Sequence, residues 1–160
     1  MRNPSVQPET GVNAYATIAQ ADQWFVIRSR VGWVEANVSK RSGALIRAAE
    51  WLDGYFRFRG ERVSASQMRA WPRKGIAGMS ASQINGLPAP VEQAYFELAL
   101  ALIESEAAAE QLLGIRGGVR RERIGSVAVE YEPAQVGRSR VLALLWPYLK
   151  DSVAPKVVRA

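Results

Sequence analysis

There is no cysteine and no histidine anywhere in these 160 residues. The first absence excludes disulfides and thiolate metal sites. The second removes the commonest general base, the commonest imidazole metal ligand and the usual switch near neutral pH. No apolar run approaches the ~18–20 residues of a membrane span, so no contact with a membrane interior is expected. The opening MRNPSVQPET carries no apolar stretch of the kind a secretory leader needs, which gives the expectation of a soluble, cytosol-made protein. Repeats and low-complexity tracts are absent. No Ser–base pair, carboxylate dyad or Gly-rich phosphate cradle stands out, and Lys74-Gly75 lacks the surroundings of a phosphate loop. The chain therefore reads as a non-enzyme with no catalytic residues, no cofactor and no metal.

What is present is ordinary for one globular domain: 48% hydrophobic and 22% charged residues, a length that supports a real core, and a formal net charge of +6. A basic balance suits nucleic acid, an anionic surface or an acidic partner. The charge is uneven, with Arg120, Arg121, Arg123, Arg138, Arg140, Lys150, Lys156 and Arg159 crowded towards the end.

The most helix-prone stretch is Pro90 to Leu113, rich in Ala, Leu and Glu. Pro90 suits a first helical position, Ala89 before it is biased away from helix, and Gly114 is a natural stop. The spacing predicts one helix about 36 Å long. Val91, Ala94, Tyr95, Leu98, Leu102 and Ala109 recur on one side, while Phe96, Leu100 and Ile103 cover a second. Only Gln93, Glu97, Glu104 and Gln111 read as wet, so this helix is expected to be the central post of a mainly α bundle.

Around it, residues 1–12 read as an extended arm, either frayed or ordered on a neighbour. Thr17 and Gln20 fit a capping box opening a helix with Ile18, Ala21, Trp24, Phe25 and Ile27 apolar. Trp24 and Trp33 read as core anchors rather than a platform for bases. A second helix is expected from Ser42, as cap, to Asp53. The Arg57-Phe58-Arg59-Gly60-Glu61-Arg62 run alternates cations with an aromatic. It can hold a nucleic-acid strand, or it can turn Phe56 and Phe58 inward with the arginines solvated. Ser64 to Ala70 reads as a helical turn ended by Trp71-Pro72, followed by a long loop from Lys74 to Pro90.

Val119–Ile124 and Val127–Tyr131 read as a β-hairpin about Gly125-Ser126. Its arginines, Arg120, Arg121 and Arg123, are candidates for a DNA-channel or subunit contact, against a solvated, ion-paired face. Arg138 to Leu149 is expected to be a last helix, kinked or shortened by Pro147. The tail, residues 151–160, is short and β-prone and either disorders or adds a strand to a partner. The domain proper is thus residues 13–150.

Several pieces, in order, resemble a known family: NAYATIAQADQWF (Asn13–Phe25), ALIRAAEWLD (Ala44–Asp53), FRGERVS (Phe58–Ser64), AWPR (Ala70–Arg73), LPAPVEQAYFELAL (Leu87–Leu100) and VRRERIGSVAVEY (Val119–Tyr131). The chain is similar to the small head–tail connector, or adaptor, proteins of long-tailed bacteriophages, a group also described as DnaT-like single-stranded-DNA-binding proteins. The resemblance covers about residues 11–150. It implies a helical bundle with a hairpin, built as a homo-oligomeric ring, a dodecamer, beneath the portal at the virion's head–tail interface. Implied partners are the portal protein, a downstream neck or tail-terminator protein and passing double-stranded DNA. On that reading, Val153, Pro155, Val157, Val158 and Arg159 in the tail tether each subunit to the portal. The alternative is a single-stranded-DNA-binding module.

Overall fold

The computed structural model describes residues 6–78, 86–113 and 139–150. Within these the protein is mainly α: α1 (Ile18–Ile27), α2 (Val31–Val34), α3 (Val38–Tyr55), α4 (Ala89–Glu104), α5 (Glu106–Leu112) and α6 (Arg140–Leu145), with a two-stranded antiparallel pair, β1 (Glu61–Arg62) and β2 (Arg73–Lys74). The expected hairpin at 119–131 and the tail at 151–160 lie outside the described residues.

Thr17 and Gln20 close the capping box on α1, each side chain bonding the other's backbone. Trp24 and Phe25 are buried, but Ile27, expected on the apolar side, is 73% exposed because α1 ends there and the chain turns away. Trp33, on the single turn of α2, stacks on Phe25 at 4.3 Å, and its indole donates to Asp22 Oδ1 at 2.7 Å. Both tryptophans are core anchors.

Helix α3 starts earlier than expected. Asn37, not Ser42, is the cap, its Oδ1 accepting from the Lys40 amide at 2.8 Å. Ser42 instead lies inside α3, buried, with its hydroxyl unpartnered. The cap at Asn37 extends the helix in front of Ser42 and leaves Leu45, Ala48, Ala49 and Leu52 buried as expected.

The central post is real but is not one helix. It starts at Ala89, with Pro88 as cap and Pro90 second, a position whose N–H has no helical partner anyway. It breaks at Ser105, whose backbone is extended (φ −171°, ψ 161°). Ser105 ends α4 by donating its amide to the Ala101 carbonyl and opens α5 by accepting the Ala108 amide on its hydroxyl. A short hydroxyl side chain competes for backbone donors, and here it wins over the helix-forming residues around it.

Helix α4 packs against α2, α3, α5 and α6, and buries Val91, Ala94, Tyr95, Phe96, Leu98 and Leu102. Ala109 on α5 is buried as expected. Of the supposedly wet positions, Glu97 is a partner: it receives Arg30 at 2.5 Å with only 12% of its side chain exposed. Tyr95 bolts three segments together. Its hydroxyl donates to the Leu45 carbonyl on α3 at 2.8 Å and accepts the Tyr15 amide at 3.3 Å. Helix α6 is cut short at Leu145, and Trp146-Pro147-Tyr148 continues as one 3-10 turn, as Pro147 requires.

Near the start, the Glu9 amide donates to Asn13 Oδ1 at 2.7 Å, Asn13 Nδ2 donates to the Gln7 carbonyl at 3.1 Å, and Pro8 is buried.

Candidate nucleic-acid interface

The segment after α3 supplies the most concentrated cation cluster among the described residues. Residues Arg57 to Arg62 run between two partners. On one side Phe58 bridges Leu149 in antiparallel fashion, with the Arg59 amide on the Tyr148 carbonyl and the Lys150 amide on the Arg57 carbonyl, both at 2.7 Å. On the other, Glu61 pairs with Lys74 and Arg62 with Arg73. The arrangement brings Arg57, Arg59, Arg62, Arg73, Lys74 and Lys150 onto adjoining backbone segments, with Glu61 in the same run and Asp53 close enough to Arg73 to act on its charge. Among the described residues none of these six forms an ion pair; the four pairs found are Arg30–Glu97, Arg41–Asp22, Arg47–Glu106 and Arg69–Asp53.

The strand pair was not legible in the sequence, where Ser64 to Ala70 reads as a helical turn. The structure holds that stretch as turns instead. The Ser64 amide donates to Gln67 Oε1 at 3.0 Å, as a capping box would have it, but Gln67 Nε2 then donates to the Arg69 and Pro72 carbonyls and folds the chain back. Gly60 is the pivot. Its φ is +69°, and a Cβ there would stand 2.2 Å from the Lys74 carbonyl oxygen, so only glycine fits.

Arg73 binds the segment together. Its Nε donates to the Arg59 carbonyl at 2.7 Å, Nη1 to Ala70 at 3.0 Å, and Nη2 to Phe58 at 3.3 Å and Gly60 at 2.7 Å. Burial, and then the neighbouring Arg62 charge, hold its pKa below the usual arginine value.

Behind it lies a polar cluster drawn from three of the sequence pieces singled out above. The Tyr15 hydroxyl donates to Asp53 Oδ1 and accepts the Trp71 amide at 3.2 Å. Asp53 Oδ2 accepts the Ala70 amide and faces Arg69 Nη1, each at 3.3 Å. Burial pushes the Asp53 carboxyl up, while Tyr15 and Arg69 pull it back; burial and the Asp53 charge push the Tyr15 hydroxyl well above its ordinary value. Trp71 packs, 1% exposed, its ring edge-on to Phe58 at 5.3 Å, and the Trp71–Pro72 bond is cis. Arg73 and Asp53 carry polar roles that no spacing rule signals, since their partners are backbone carbonyls, amides and a tyrosine distant in sequence.

The aromatic half of the Arg/aromatic run faces inward. Phe58 is 4% exposed and Phe56 partly buried, so neither ring is offered to bases. What the segment can do chemically is attract anions along the backbone. The hairpin arginines, Arg120, Arg121 and Arg123, and the tail residues, Val153, Pro155, Val157, Val158 and Arg159, lie outside the described residues.

A second stretch mixes exposed apolar side chains with exposed polar ones, Arg28, Glu35 and Asn37. Residues 26–38 expose Val26, Ile27, Val31, Val34 and Val38, each between 50% and 73%. Among the described residues no group of His, Cys, Asp or Glu could hold a metal ion, and no helix is long and apolar enough to cross a membrane.

The fold and its cationic segment define a mainly helical domain suited to an anionic partner. Residues 5–160 match the family described as "Putative DnaT-like ssDNA binding protein", and the chain belongs to that family. Comparisons with curated proteins and with solved structures find no match.

Proposed function

We propose that this protein binds single-stranded DNA by its phosphate backbone, acting by contact and not by making or breaking bonds. The observation that carries the reading is the gathering of Arg57, Arg59, Arg62, Arg73, Lys74 and Lys150 on adjoining segments, none of them in an ion pair among the described residues. Membership of the DnaT-like family supports the choice of ligand. The inward Phe58 makes the contact electrostatic, with little base discrimination. Affinity for an oligothymidylate should fall steeply with salt, its log–log slope near −0.7 for each phosphate neutralised. Binding that is absent at low salt, or indifferent to salt, overturns the proposal.

A second reading is favoured by the exposed Val26, Ile27, Val31, Val34 and Val38, since apolar exposure of this kind marks protein–protein contact. Together with the sequence resemblance it suits a phage head–tail adaptor, a ring below the portal through which DNA passes. A backbone contact would serve double-stranded DNA there equally well. Light scattering with and without portal separates the two: a closed ring or portal-dependent assembly favours the adaptor, and a salt-sensitive DNA-binding monomer that ignores portal rejects it. Removing residues 151–160 tests the tether, which is excluded if rings still load onto portals normally.

A further inference from the structure

Arg73 sits among the cations of the proposed interface but is spent on the backbone. A guanidinium has five N–H donors, and four carbonyls, those of Phe58, Arg59, Gly60 and Ala70, accept from this one at 2.7–3.3 Å. Three of those carbonyls belong to the run that also carries Arg57, Arg59 and Arg62. A peptide carbonyl oxygen is a negative dipole end. Left facing outward beside the arginines, such oxygens would repel a phosphate approaching them.

We propose that Arg73 is the positioning residue of the interface: it gathers the carbonyls of Phe58, Arg59 and Gly60 onto one inner guanidinium, so that these three oxygens turn away from a phosphodiester chain facing the Arg57–Arg62 run, in which Arg59 and Arg62 each donate to one further carbonyl, of Leu149 and of Gln67. The inference rests on the DNA-binding reading above. Two features support it. No carboxylate lies within ion-pair distance of Arg73 among the described residues, so its charge, offset only in part by the nearby Asp53, still adds to the field of Arg62 and Lys74. The backbone it grips is also constrained independently, because Gly60 at φ +69° passes too close to the Lys74 carbonyl for any side chain. Lysine cannot stand in. Its ammonium is a compact point with three donors and cannot reach four carbonyls spread around a planar fork.

The test uses the full chain, a fluorescently labelled oligothymidylate and anisotropy over a salt series, with Arg73→Lys, Arg73→Gln and the double variant Arg62→Gln/Lys74→Gln. The double variant should lose direct contacts, its salt slope shrinking by ~0.7 for each phosphate contact removed. Arg73→Lys should keep the wild-type slope yet bind about tenfold or more weakly, the scale of losing one charge-assisted hydrogen bond. Amide hydrogen exchange across residues 57–62 should accelerate in the same variant while α4 amides stay protected. Wild-type affinity and slope in Arg73→Lys beside a slope reduced by ~0.7 in Arg73→Gln mean that Arg73 itself touches phosphate, and overturn the positioning role. Wild-type affinity in Arg73→Lys with a lowered melting temperature makes it merely structural, and also overturns the inference. Should Arg73→Gln fail to fold, Arg73→Lys alone decides. A wild-type protein that does not bind the oligonucleotide overturns the function reading as well, which distinguishes that failure from this one.

Discussion

Two halves of the molecule are held by different physics. The α3–α4 half is close-packed and apolar: Leu45, Leu52, Val91, Leu98 and Ala99 are fully buried and the Tyr95 hydroxyl ties α4 to α3. The segment from Arg57 to Lys74 has few buried side chains. It is shaped by a guanidinium on four carbonyls, a tyrosine hydroxyl on a carboxylate and a glycine with positive φ. Burial is non-directional and tolerates small shifts, whereas a hydrogen-bonded cluster is either complete or leaves buried groups unpaired. The first half therefore sets stability, and the second sets the placement of the cations.

The comparison breaks most visibly at Leu98. Leu98→Ala should cost ~2–5 kcal/mol by cavity formation, read as a lower urea midpoint, and Leu98→Asp should leave the chain unfolded by circular dichroism. Tyr15→Phe comes next. The ring keeps its edge-on contact with Tyr95 at 5.5 Å, but the Trp71 amide and the Asp53 carboxylate lose their partner. The expected cost is ~1–3 kcal/mol. Trp71 amide exchange should rise more than exchange in α4; equal acceleration in both would mean that the two halves are one cooperative unit.

Ser105→Ala should be milder, about 1 kcal/mol for a lost cap, measured as a drop in melting temperature. Should it stabilise the protein instead, α4 and α5 have fused into the single helix that their composition favours, and Ser105 holds the break at a cost.

The smallest effect is a pH dependence. Glu92, in the first turn of α4, has its carboxyl raised above 4.5 by burial, with the Arg28 charge offsetting only part. The folded state then holds its proton more tightly than the unfolded chain. Its contribution is full below pH 4.5 and is lost as pH rises through the folded value. Glu92→Gln should flatten the fall in urea midpoint across that window, and an unchanged pH profile would refute the assignment.

Much of the fold was legible from local chemistry. Thr17 with Gln20 and Pro147 act on the backbone a few residues away, while residue type for Trp24 and Trp33 and helical spacing for Val91, Tyr95, Leu98 and Leu102 signal burial before the partner is known. The misread starts and stops, Asn37 for Ser42 and the break at Ser105, turned on which of several adequate caps prevailed. Of the candidate site, the Arg57–Arg62 run and the inward turn of Phe58 were visible as one of two readings. The strand pair and the Arg73 grip were not.

The sequence by itself determined a mainly α domain, its central post, its basic character and a set of residues without His or Cys to do chemistry, because composition and periodicity act along the chain. Only the tertiary structure decided that Tyr15, Asp53, Trp71 and Arg73 meet, and that Arg73 faces carbonyls rather than solvent. Most of those contacts join segments far apart in sequence, and all but the Tyr15–Asp53 bond end on backbone atoms that every residue carries, so no local side-chain pattern encodes them.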